Sequence, residues 1–242
     1  MSIYFFILTE KIVCYFRSSA VNRKGKTSFQ ISDIDPKLCT HLIYAFVGMD
    51  PKGDIRILNP STDLPEGKNG FNLFNKLRDN DTKTLISIGG WGELSNNYSI
   101  VAEDPIKRKL FARNTLNFVK KWGFDGLDFD WEYPTLRGGK KNDRENFVLL
   151  LKEIKELFEA KGLLLSAALG ANLSEESIHL AYNISGITKY LDWINLMTYD
   201  YYDSERTSLN APLYGLSKDD KRNIVSKYLL YFLKYIVLKL LT

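Results

Sequence analysis

Several signatures of common binding proteins are missing from this 242-residue sequence. It has no run of five or six like charges, and its formal net charge of +4 is small and scattered, so we expect no nucleic-acid partner. No GxGxxG follows the first predicted strand, which counts against a dinucleotide-binding fold. The two histidines, His41 and His179, are isolated from other ligand types, and we interpret both as structural or exposed. We expect no cofactor.

The two ends of the chain also lack the features of membrane or export segments. Residues 1–10 hold a six-residue apolar run (3–8) with no basic residue before it, which predicts only a weak or remnant signal segment. Residues 224–242 form an atypical apolar tail that Lys227, Lys234 and Lys239 interrupt. A lysine at the centre of a membrane helix costs about 2.5–3.5 kcal/mol, so we expect no stable membrane insertion.

Cysteine is scarce, with Cys14 and Cys39 alone. In a cytosolic chain they would be two unrelated buried thiols. Four N-x-S/T sequons favour the secretory route instead, and they begin at Asn80, Asn97, Asn172 and Asn183. We therefore predict an extracellular protein. If the cysteines pair, they close a loop of 25 residues (39 minus 14). In the chain-entropy model such a link stabilises the folded state by roughly 3–4 kcal/mol.

What the sequence does contain is a series of short apolar runs rich in β-branched and aromatic residues. There are six: 11–16, 40–47, 84–91, 124–131, 163–169 and 190–200. Continuous apolar character is typical of parallel strands covered on both faces, and the spacing leaves room for a helix each time. The pattern predicts an α/β fold, which either a doubly wound sheet or a β/α barrel would satisfy.

Two of the predicted helices have clear ends and faces. The first has Asp104 as N-cap, Pro105 at its first position and Gly123 at its end. Its predicted apolar stripe is Ile106, Leu110, Phe111, Phe118, Val119 and Trp122. For the second, Asp143 is the predicted cap, and the apolar face is Phe147, Leu150, Leu151, Ile154, Leu157 and Phe158.

The fourth run, FDGLDFDWEYP, places acids in an apolar neighbourhood. Because strand side chains alternate, Leu127, Phe129 and Trp131 would pack under helices. The opposite face would hold Gly126 with Asp128, Asp130 and Glu132, about 6.6 Å apart in succession. Asp125 falls on the apolar face, and we interpret it as an acid that supports the fold.

Three interpretations fit this row of carboxyl groups. A structural accident would bury three like charges with no Lys or Arg in the strand, which is costly. A hard cation such as Mg²⁺ or Ca²⁺ suits three carboxylates, but neither a phosphate-binding glycine loop nor a Ca²⁺-loop spacing accompanies them. Coupled acids, one held protonated as a general acid, form the third interpretation.

The same stretch resembles the DGxDxDWE signature of the family 18 glycoside hydrolases, the chitinases and chitinase-like proteins. SIGGW (87–91) resembles the family's third-strand motif and MTYD (197–200) its sixth. KIVCYF and LCTHLIYAF resemble the first two strands, cysteine pair included, so the resemblance implies a Cys14–Cys39 disulfide. It runs from about residue 11 to about 215. It implies a TIM barrel with the motifs at the C-terminal ends of the strands.

The resemblance also implies roles for four residues in hydrolysis of β-1,4-linked N-acetylglucosamine polymers, with no metal. Glu132 would be the general acid and then the base. Asp130 would hold the substrate's acetamido group while the carbonyl oxygen of that group attacks the anomeric carbon. Asp128 would share a proton or hydrogen bond with Asp130, and Tyr199 would donate to the acetamido carbonyl. Carboxyl spacing alone would suggest inversion, so the retaining assignment depends on the resemblance.

Further residues are expected to bind chitin or chito-oligosaccharide. Trp91 follows two glycines at a strand end, where it can lie flat against a sugar ring. Tyr15, Phe46, Tyr133, Met197 and Asp200 match other substrate-binding positions of the family. Trp122 and Trp193 are interpreted as packing residues.

The sequence departs from the family in strand number. About six of eight β/α units are identifiable, so residues 11–223 predict an incomplete (β/α)8 barrel. We interpret residues 224–242 as a sixth barrel helix running into a remnant of the seventh strand, as truncation, alternative splicing or a faulty gene model would produce. A non-hydrolytic chitin-binding protein or an inactive truncated isoform is therefore the alternative to a chitinase, and we expect residues 1–242 alone to lack chitinase activity.

Overall fold

The computed structural model describes residues 11–171, 175–201 and 209–213. Its strands are β1 (Val13–Arg17), β2 (His41–Met49), β3 (Ile55–Ile57), β4 (Lys83–Gly89), β5 (Gly126–Asp130), β6 (Leu164–Gly170) and β7 (Trp193–Met197). Six of these pair in parallel in the order β1-β2-β4-β5-β6-β7, which confirms the six predicted strands. The short β3 pairs antiparallel with β2 and was not predicted.

Helices connect the parallel strands. They are α1 (Pro60–Asp63), α2 (Gly70–Asn75), α3 (Ser95–Glu103), α4 (Pro105–Trp122), α5 (Asp143–Glu159), α6 (Glu175–Ala181) and α7 (Ile184–Ile187). Four short 3-10 helices lie in the connection between β1 and β2. Strand and helix alternate along the chain, as in a β/α barrel.

The sheet curls strongly. The Tyr15 hydroxyl on β1 lies 2.9 Å from the Asn195 amide nitrogen on β7, although these strands are the two ends of the parallel path. In a flat sheet the same strands would be about 24 Å apart, five spacings of about 4.8 Å. Within the described ranges β1 pairs only with β2 and β7 only with β6, so the expected incomplete barrel is confirmed and the doubly wound alternative is not observed.

Helix α4 has the predicted ends. The Asp104 carboxylate accepts from the backbone N–H of Ile106 at 2.8 Å and of Lys107 at 3.2 Å. The helix ends at Gly123, whose φ of 79° is left-handed. Its buried residues include Arg108, Phe111, Ala112, Thr115 and Val119. Ile106 was wrongly placed in the stripe: it is 77% exposed, because it precedes Arg108 by two residues and so points to nearly the opposite side of the helix.

Helix α5 buries its predicted face, with Phe147, Leu150, Leu151, Ile154 and Phe158 all inaccessible. The expected cap is wrong, because Asp143 is the first residue of the helix and Asn142 occupies the N-cap position. The buried Asp143 carboxylate instead accepts from the Lys140 backbone N–H at 2.6 Å and from the Ser99 hydroxyl. These two hydrogen bonds connect the loop before α5 to α3.

Strand β5 presents two chemically different faces. The Phe129 ring packs 5.2 Å from Phe147 and 6.1 Å from Phe111, between centroids, and Trp131 packs 5.5 Å from Phe147. These helix contacts cover the apolar face as predicted. The alternate side chains, including Asp128 and Asp130, therefore point into the curl of the sheet.

The structure also shows the roles of the two cysteines, Asp125 and His41. Cys14 and Cys39 form a disulfide with Cα atoms 6.1 Å apart, which ties β1 to the segment entering β2. The Asp125 carboxylate accepts from the Thr84 backbone N–H at 2.8 Å, confirming a role in supporting the fold. His41 packs 4.7 Å from Trp193, and burial lowers the pKa of its imidazole.

Trp122 packs 5.1 Å from Phe71, as expected of a packing residue. His179 is exposed. No helix among residues 11–171, 175–201 and 209–213 is long and apolar enough to cross a membrane. The predicted signal segment at 1–10 and the apolar tail at 224–242 lie outside these ranges.

Candidate active site

A cleft of about 860 Å³ opens where the parallel strands end. Arg17, Gly89, Asp130 and Met197 are the last residues of β1, β4, β5 and β7, and all four line it. The other lining residues include Phe46, Trp91, Glu132, Tyr133, Tyr199 and Asp200. Most of the predicted site residues therefore meet in one cleft at the expected end of the barrel.

Asp128 lies beneath this cleft and is fully buried. Its Oδ2 accepts from the hydroxyls of Tyr15 at 2.8 Å and Ser87 at 2.9 Å. Its Oδ1 accepts from the Ser166 hydroxyl at 2.7 Å and the Asn195 amide at 3.1 Å. Burial raises the pKa of the Asp128 carboxyl, and these four hydrogen bonds oppose that rise. Four donors on one carboxylate favour its ionised form.

Sequence reasoning missed three of these donors, Ser87, Ser166 and Asn195. In the sheet register Ser87 is opposite Asp128, and Asp128 is opposite Ser166, so the three side chains form a row across neighbouring strands. A search for polar residues at inward positions of the apolar strand runs could have found the two serines. It could not have paired them, because the register between strands is not written in the sequence.

Asp130 has a contrasting environment. Only 5% of it is exposed, and its Oδ1 atom has no hydrogen-bond partner among the described residues. Burial raises the pKa of the Asp130 carboxyl well above its ordinary value, and the nearby Glu132 and Asp128 carboxyls raise it further. Asp130 is therefore biased towards its protonated form, and its Oδ1 is a buried acceptor with no partner among the described residues.

Glu132 completes the row and is 9% exposed. Burial is the main reason that the pKa of its carboxyl is raised, with Asp200 adding to the rise. A hydrogen bond from Tyr133 and the positive charge of Arg137 act in the opposite direction. A carboxyl with a raised pKa at the edge of a cleft suits a general acid.

A close approach between β4 and β5 shapes the cleft floor. Gly89 has a φ of 117°, and a Cβ atom there would lie 1.9 Å from the Asp130 carbonyl oxygen. The Gly90 N–H donates to the same oxygen at 2.9 Å. A side chain at Gly89 would thus separate the two strand ends, which explains the glycine pair immediately before Trp91.

The aromatic residues lie at different depths. Trp91 is 64% exposed and Tyr199 46%, whereas Tyr133 is buried. Burial, followed by the nearby Asp130 and Glu132 carboxyls, raises the pKa of the Tyr199 phenol to about 12, so its hydroxyl remains a proton donor at neutral pH. The Ala45–Phe46 and Glu132–Tyr133 peptides are cis.

The structure places Tyr15 below the main cleft. Its hydroxyl donates to Asp128, and its side chain lines an adjoining cavity of about 550 Å³ shared with Phe46, Asp130 and Tyr199. Tyr15 is therefore a hydrogen-bond donor to the buried Asp128 carboxylate as well as a cavity-lining residue.

No group of three or more His, Cys, Asp and Glu side chains could hold a metal ion in the part of the chain that the structure describes. Asp128, Asp130 and Glu132 follow one another along a strand instead of converging on a point. The hard-cation interpretation therefore has no geometric support in this cleft.

A family model described as "Glycosyl hydrolases family 18" matches residues 11–237. The chain belongs to glycosyl hydrolase family 18. Among curated relatives of this family, "Probable chitinase 2" of Drosophila melanogaster is 44% identical over 215 residues, covering 86% of this chain and 44% of the relative. The "Endochitinase" of Manduca sexta is 36% identical over 218 residues, covering 86% and 39%. The chain thus spans less than half the length of these relatives.

Solved structures of family 18 proteins have the same fold. A group IV chitinase of Ostrinia furnacalis in complex with allosamidin superposes with a TM-score of 0.87 at 38% identity, covering 93% of this chain and 63% of the other. Human YKL-39, described as a pseudo-chitinase with retained chitooligosaccharide binding, superposes with a TM-score of 0.80 at 28% identity and the same coverage. Family 18 neighbours therefore include both a chitinase and a pseudo-chitinase.

Proposed function

We propose that this family 18 chain acts in chitinase-type hydrolysis of β-1,4-linked N-acetylglucosamine polymers. The observation that supports this most directly is the contrast between three successive inward carboxyls. Asp128 has four hydrogen-bond donors, Asp130 has a buried oxygen with no partner among the described residues, and Glu132 lies at the cleft with a raised pKa. One fixed anion, one acceptor and one proton donor are the parts that substrate-assisted cleavage requires.

In the proposed first step the Glu132 carboxyl protonates the glycosidic oxygen, and the bond to the anomeric carbon breaks. The substrate's acetamido carbonyl oxygen attacks that carbon and forms a cyclic oxazolinium ion. Asp130 accepts from the acetamido N–H and stabilises the positive charge, while the Tyr199 hydroxyl donates to the acetamido oxygen before attack. Burial raises the pKa of Asp130, and Asp128 remains the buried anion whose negative charge raises it further.

In the second step the Glu132 carboxylate removes a proton from water as the water oxygen attacks the anomeric carbon. The oxazolinium ring opens, which restores the acetamido group, and Glu132 is protonated again. Two successive displacements leave the sugar with retained configuration, and no enzyme nucleophile is needed, as in the substrate-assisted exceptions to the two-carboxylate rule.

We propose that side chains lining the cleft bind the polymer. Trp91 offers an indole ring to a sugar face, and Phe46, Tyr133, Met197 and Asp200 form the adjoining walls. Tyr15 contributes through Asp128 and the adjoining cavity. The proposed catalytic unit is residues 11–223. Its proposed location is extracellular, which the disulfide and the exposed sequon at Asn80 support.

A second candidate is chitin binding without hydrolysis, as an inactive isoform or a lectin-like protein. The observation favouring it is that β1 and β7 each have a single strand partner within the described ranges. Misplacing catalytic groups by about 1 Å can cost about 100-fold in rate, whereas a stacking platform tolerates more movement.

Glu132→Gln separates the two candidates. A carboxamide cannot deliver the proton, so we expect hydrolysis of a fluorogenic chitobioside to fall by about 10²–10⁴-fold while retention on chitin beads persists. Glu156→Gln, at an exposed glutamate on α5, is the matched control and should leave both properties unchanged. A wild-type chain that binds chitin without hydrolysing the chitobioside would favour the second candidate, and Glu132→Gln keeping a tenth of the wild-type rate would refute the catalytic assignment.

A further inference from the structure

Trp91 is a large aromatic side chain with little around it. It is 64% exposed and follows Gly89 and Gly90, whose φ values of 117° and 81° lie outside the range of ordinary side-chain-bearing residues. An indole on such a segment would be free to adopt several rotamers. Ordering a free side chain on binding costs about 0.5–1.5 kcal/mol, so a useful sugar platform needs something to hold the ring.

Arg137 holds this ring from one side. Its guanidinium carbon lies 3.7 Å from the centroid of the Trp91 ring, well within cation–π range. Its Nη2 donates to the Trp91 backbone carbonyl at 2.9 Å, so one side chain fixes both the ring and the backbone of Trp91. The flat guanidinium, with donors at its edges, can stack and donate at the same time.

The same side chain reaches the catalytic strand. The Arg137 Nη1 donates to the Glu132 backbone carbonyl at 2.9 Å. The guanidinium therefore links the Trp91 platform to the residue that delivers the proton in the proposed reaction. A change in its position would alter the distance between the bound sugar and that proton.

The loop that presents Arg137 is itself constrained. Arg137 has a φ of 51°, in the left-handed region, and its backbone carbonyl accepts from the Ser95 N–H at 3.2 Å. The Ser95 hydroxyl donates to the Tyr133 carbonyl and accepts from the Trp131 indole N–H, each at 2.9 Å. The first residue of α3 thus anchors the loop, and Arg137 is held in place before any ligand arrives.

The stacking leaves one face of the indole available. Trp91 and Glu132 line the cleft, and the Arg137 guanidinium occupies one face of the Trp91 ring. A sugar bound to Trp91 would therefore stack on the face opposite Arg137.

We propose that Arg137 is a positioning residue that acts through Trp91, holding the indole as a rigid platform at a fixed distance from Glu132. This inference rests on the proposed chito-oligosaccharide function. In the competing explanation Arg137 only fixes the loop, through its hydrogen bonds to the Trp91 and Glu132 carbonyls, and its stacking on the Trp91 ring has no effect on binding. Trp91→Ala separates these explanations, since it removes the ring on which Arg137 stacks and keeps both backbone carbonyls to which Arg137 donates.

The test is a double-mutant cycle in the full chain, with tetra-N-acetylchitotetraose binding measured by calorimetry. The variants are Arg137→Met, Arg137→Lys, Trp91→Ala and the double variant Trp91→Ala/Arg137→Met. Arg113→Met, at an exposed arginine on α4, is the matched control. Thermal midpoints accompany each binding measurement.

We expect Arg137→Met to weaken binding by roughly 3- to 30-fold, the range of a cation–π contact, with Arg137→Lys intermediate and Arg113→Met within about twofold of wild type. In the Trp91→Ala background the Arg137→Met change should have an effect below about twofold, because its target is gone. If Arg137→Met does not fold, the lysine variant supplies the same comparison with Trp91→Ala.

Equal binding by wild type and Arg137→Met would overturn the proposal, as would an equal loss with and without Trp91. Wild-type protein that binds no chitotetraose would instead refute the proposed function, and the platform role with it. The two failures are therefore distinguished by the wild-type measurement alone.

Discussion

Strand β5 and strand β7 end at the same cleft in very different surroundings. All five residues of β5 are buried between β4 and β6, whereas all five residues of β7 are only partly buried and the strand pairs only with β6 in the described structure. The enclosed strand carries Asp128 and Asp130. The open strand leads into Tyr199 and Asp200, both exposed.

The difference separates two physical tasks. Burial and neighbouring charge raise carboxyl pKa values, so proton chemistry belongs in the enclosed centre of the sheet. The proposed sugar contacts need accessible aromatic and polar surface, part of which Tyr199 and Asp200 supply after β7. We therefore predict that substitutions in β5 affect both the stability and the proposed chemistry. Substitutions in β1 and β7 should have smaller effects on stability, except where they remove the Cys14–Cys39 disulfide.

The largest expected contrast is between two leucines truncated in the same way. Leu127 in β5 is fully buried, so Leu127→Ala should lower the free energy of unfolding by about 2–5 kcal/mol. Leu196 in β7 is partly exposed, and Leu196→Ala should cost about 1 kcal/mol. Urea denaturation measures both. Equal losses would show that β7 is as tightly packed as β5.

The disulfide should give the next effect. Cys14 in β1 is linked to Cys39 across 25 residues, and replacing both cysteines with serine should lower the free energy of unfolding by about 2–4 kcal/mol. Denaturant midpoints of the double variant and of reduced wild type should agree. A loss below about 1 kcal/mol would show that the open edge does not depend on its covalent link.

The sequence predicted the centre of the molecule better than its edges. The alternation in β5 placed Phe129 and Trp131 outward and the acids inward, because a two-residue period follows from strand geometry alone. The capping of α4 by Asp104 was equally local. These features depend on residues within one element.

What the sequence could not provide were contacts between elements. The pairing of Asn195 with Asp128 joins residues 67 apart, and the stacking of Arg137 on Trp91 joins two loops. The displaced cap at Asp143 has the same cause, since its partner Ser99 lies in another helix. Such contacts require the register and curl of the sheet, which composition and periodicity do not specify.

A smaller effect is expected from the pH dependence of Asp130. Its folded-state pKa is raised, so its contribution to stability is fully present below its unfolded pKa of about 3.9 and is lost as pH rises through the folded value. Asp130→Asn cannot ionise. The variant should therefore match wild type near pH 4 and exceed its thermal midpoint at pH 7, by about 2–6 °C.

Thermal melts of both proteins from pH 4 to pH 8 measure this difference. A midpoint advantage for Asp130→Asn that shrinks as pH rises would have the wrong sign and would contradict a raised pKa. Hydrolysis serves as a second readout, since the variant should be more stable and less active.

The smallest expected effect concerns glycosylation. Asn97 lies in α3, and its amide donates to the Met49 carbonyl of β2 at 2.9 Å. The serine of its sequon, Ser99, is buried. The Asn183 amide donates to Glu145 at 2.7 Å and its oxygen caps α7. A glycan on either side chain would replace one of the two amide hydrogens and place a sugar against the Met49 or Glu145 partner. The sequon at Asn172 begins outside the described ranges.

Asn80 is exposed on the loop before β4, and we expect it to be glycosylated in protein made through a secretory host. Glycopeptide mapping should find the modification at Asn80 and none at Asn97, and Asn80→Gln should remove it with a change in stability below about 0.5 kcal/mol. A glycan on Asn97 in folded, secreted protein would show that α3 is not formed as described.

The hydrogen bonds around Asp128 have a consequence for the order of folding. Tyr15 is 113 residues from Asp128, Asn195 is 67 residues from it, and Tyr15 and Asn195 are 180 residues apart. Contacts between distant residues form late, because the loop-closure entropy must be overcome first. The donors that fix this carboxylate therefore assemble only when both ends of the sheet have met. In a refolding experiment, chito-oligosaccharide binding should recover after helical circular dichroism, and a growing chain on the ribosome would have no organised site until β7 had emerged.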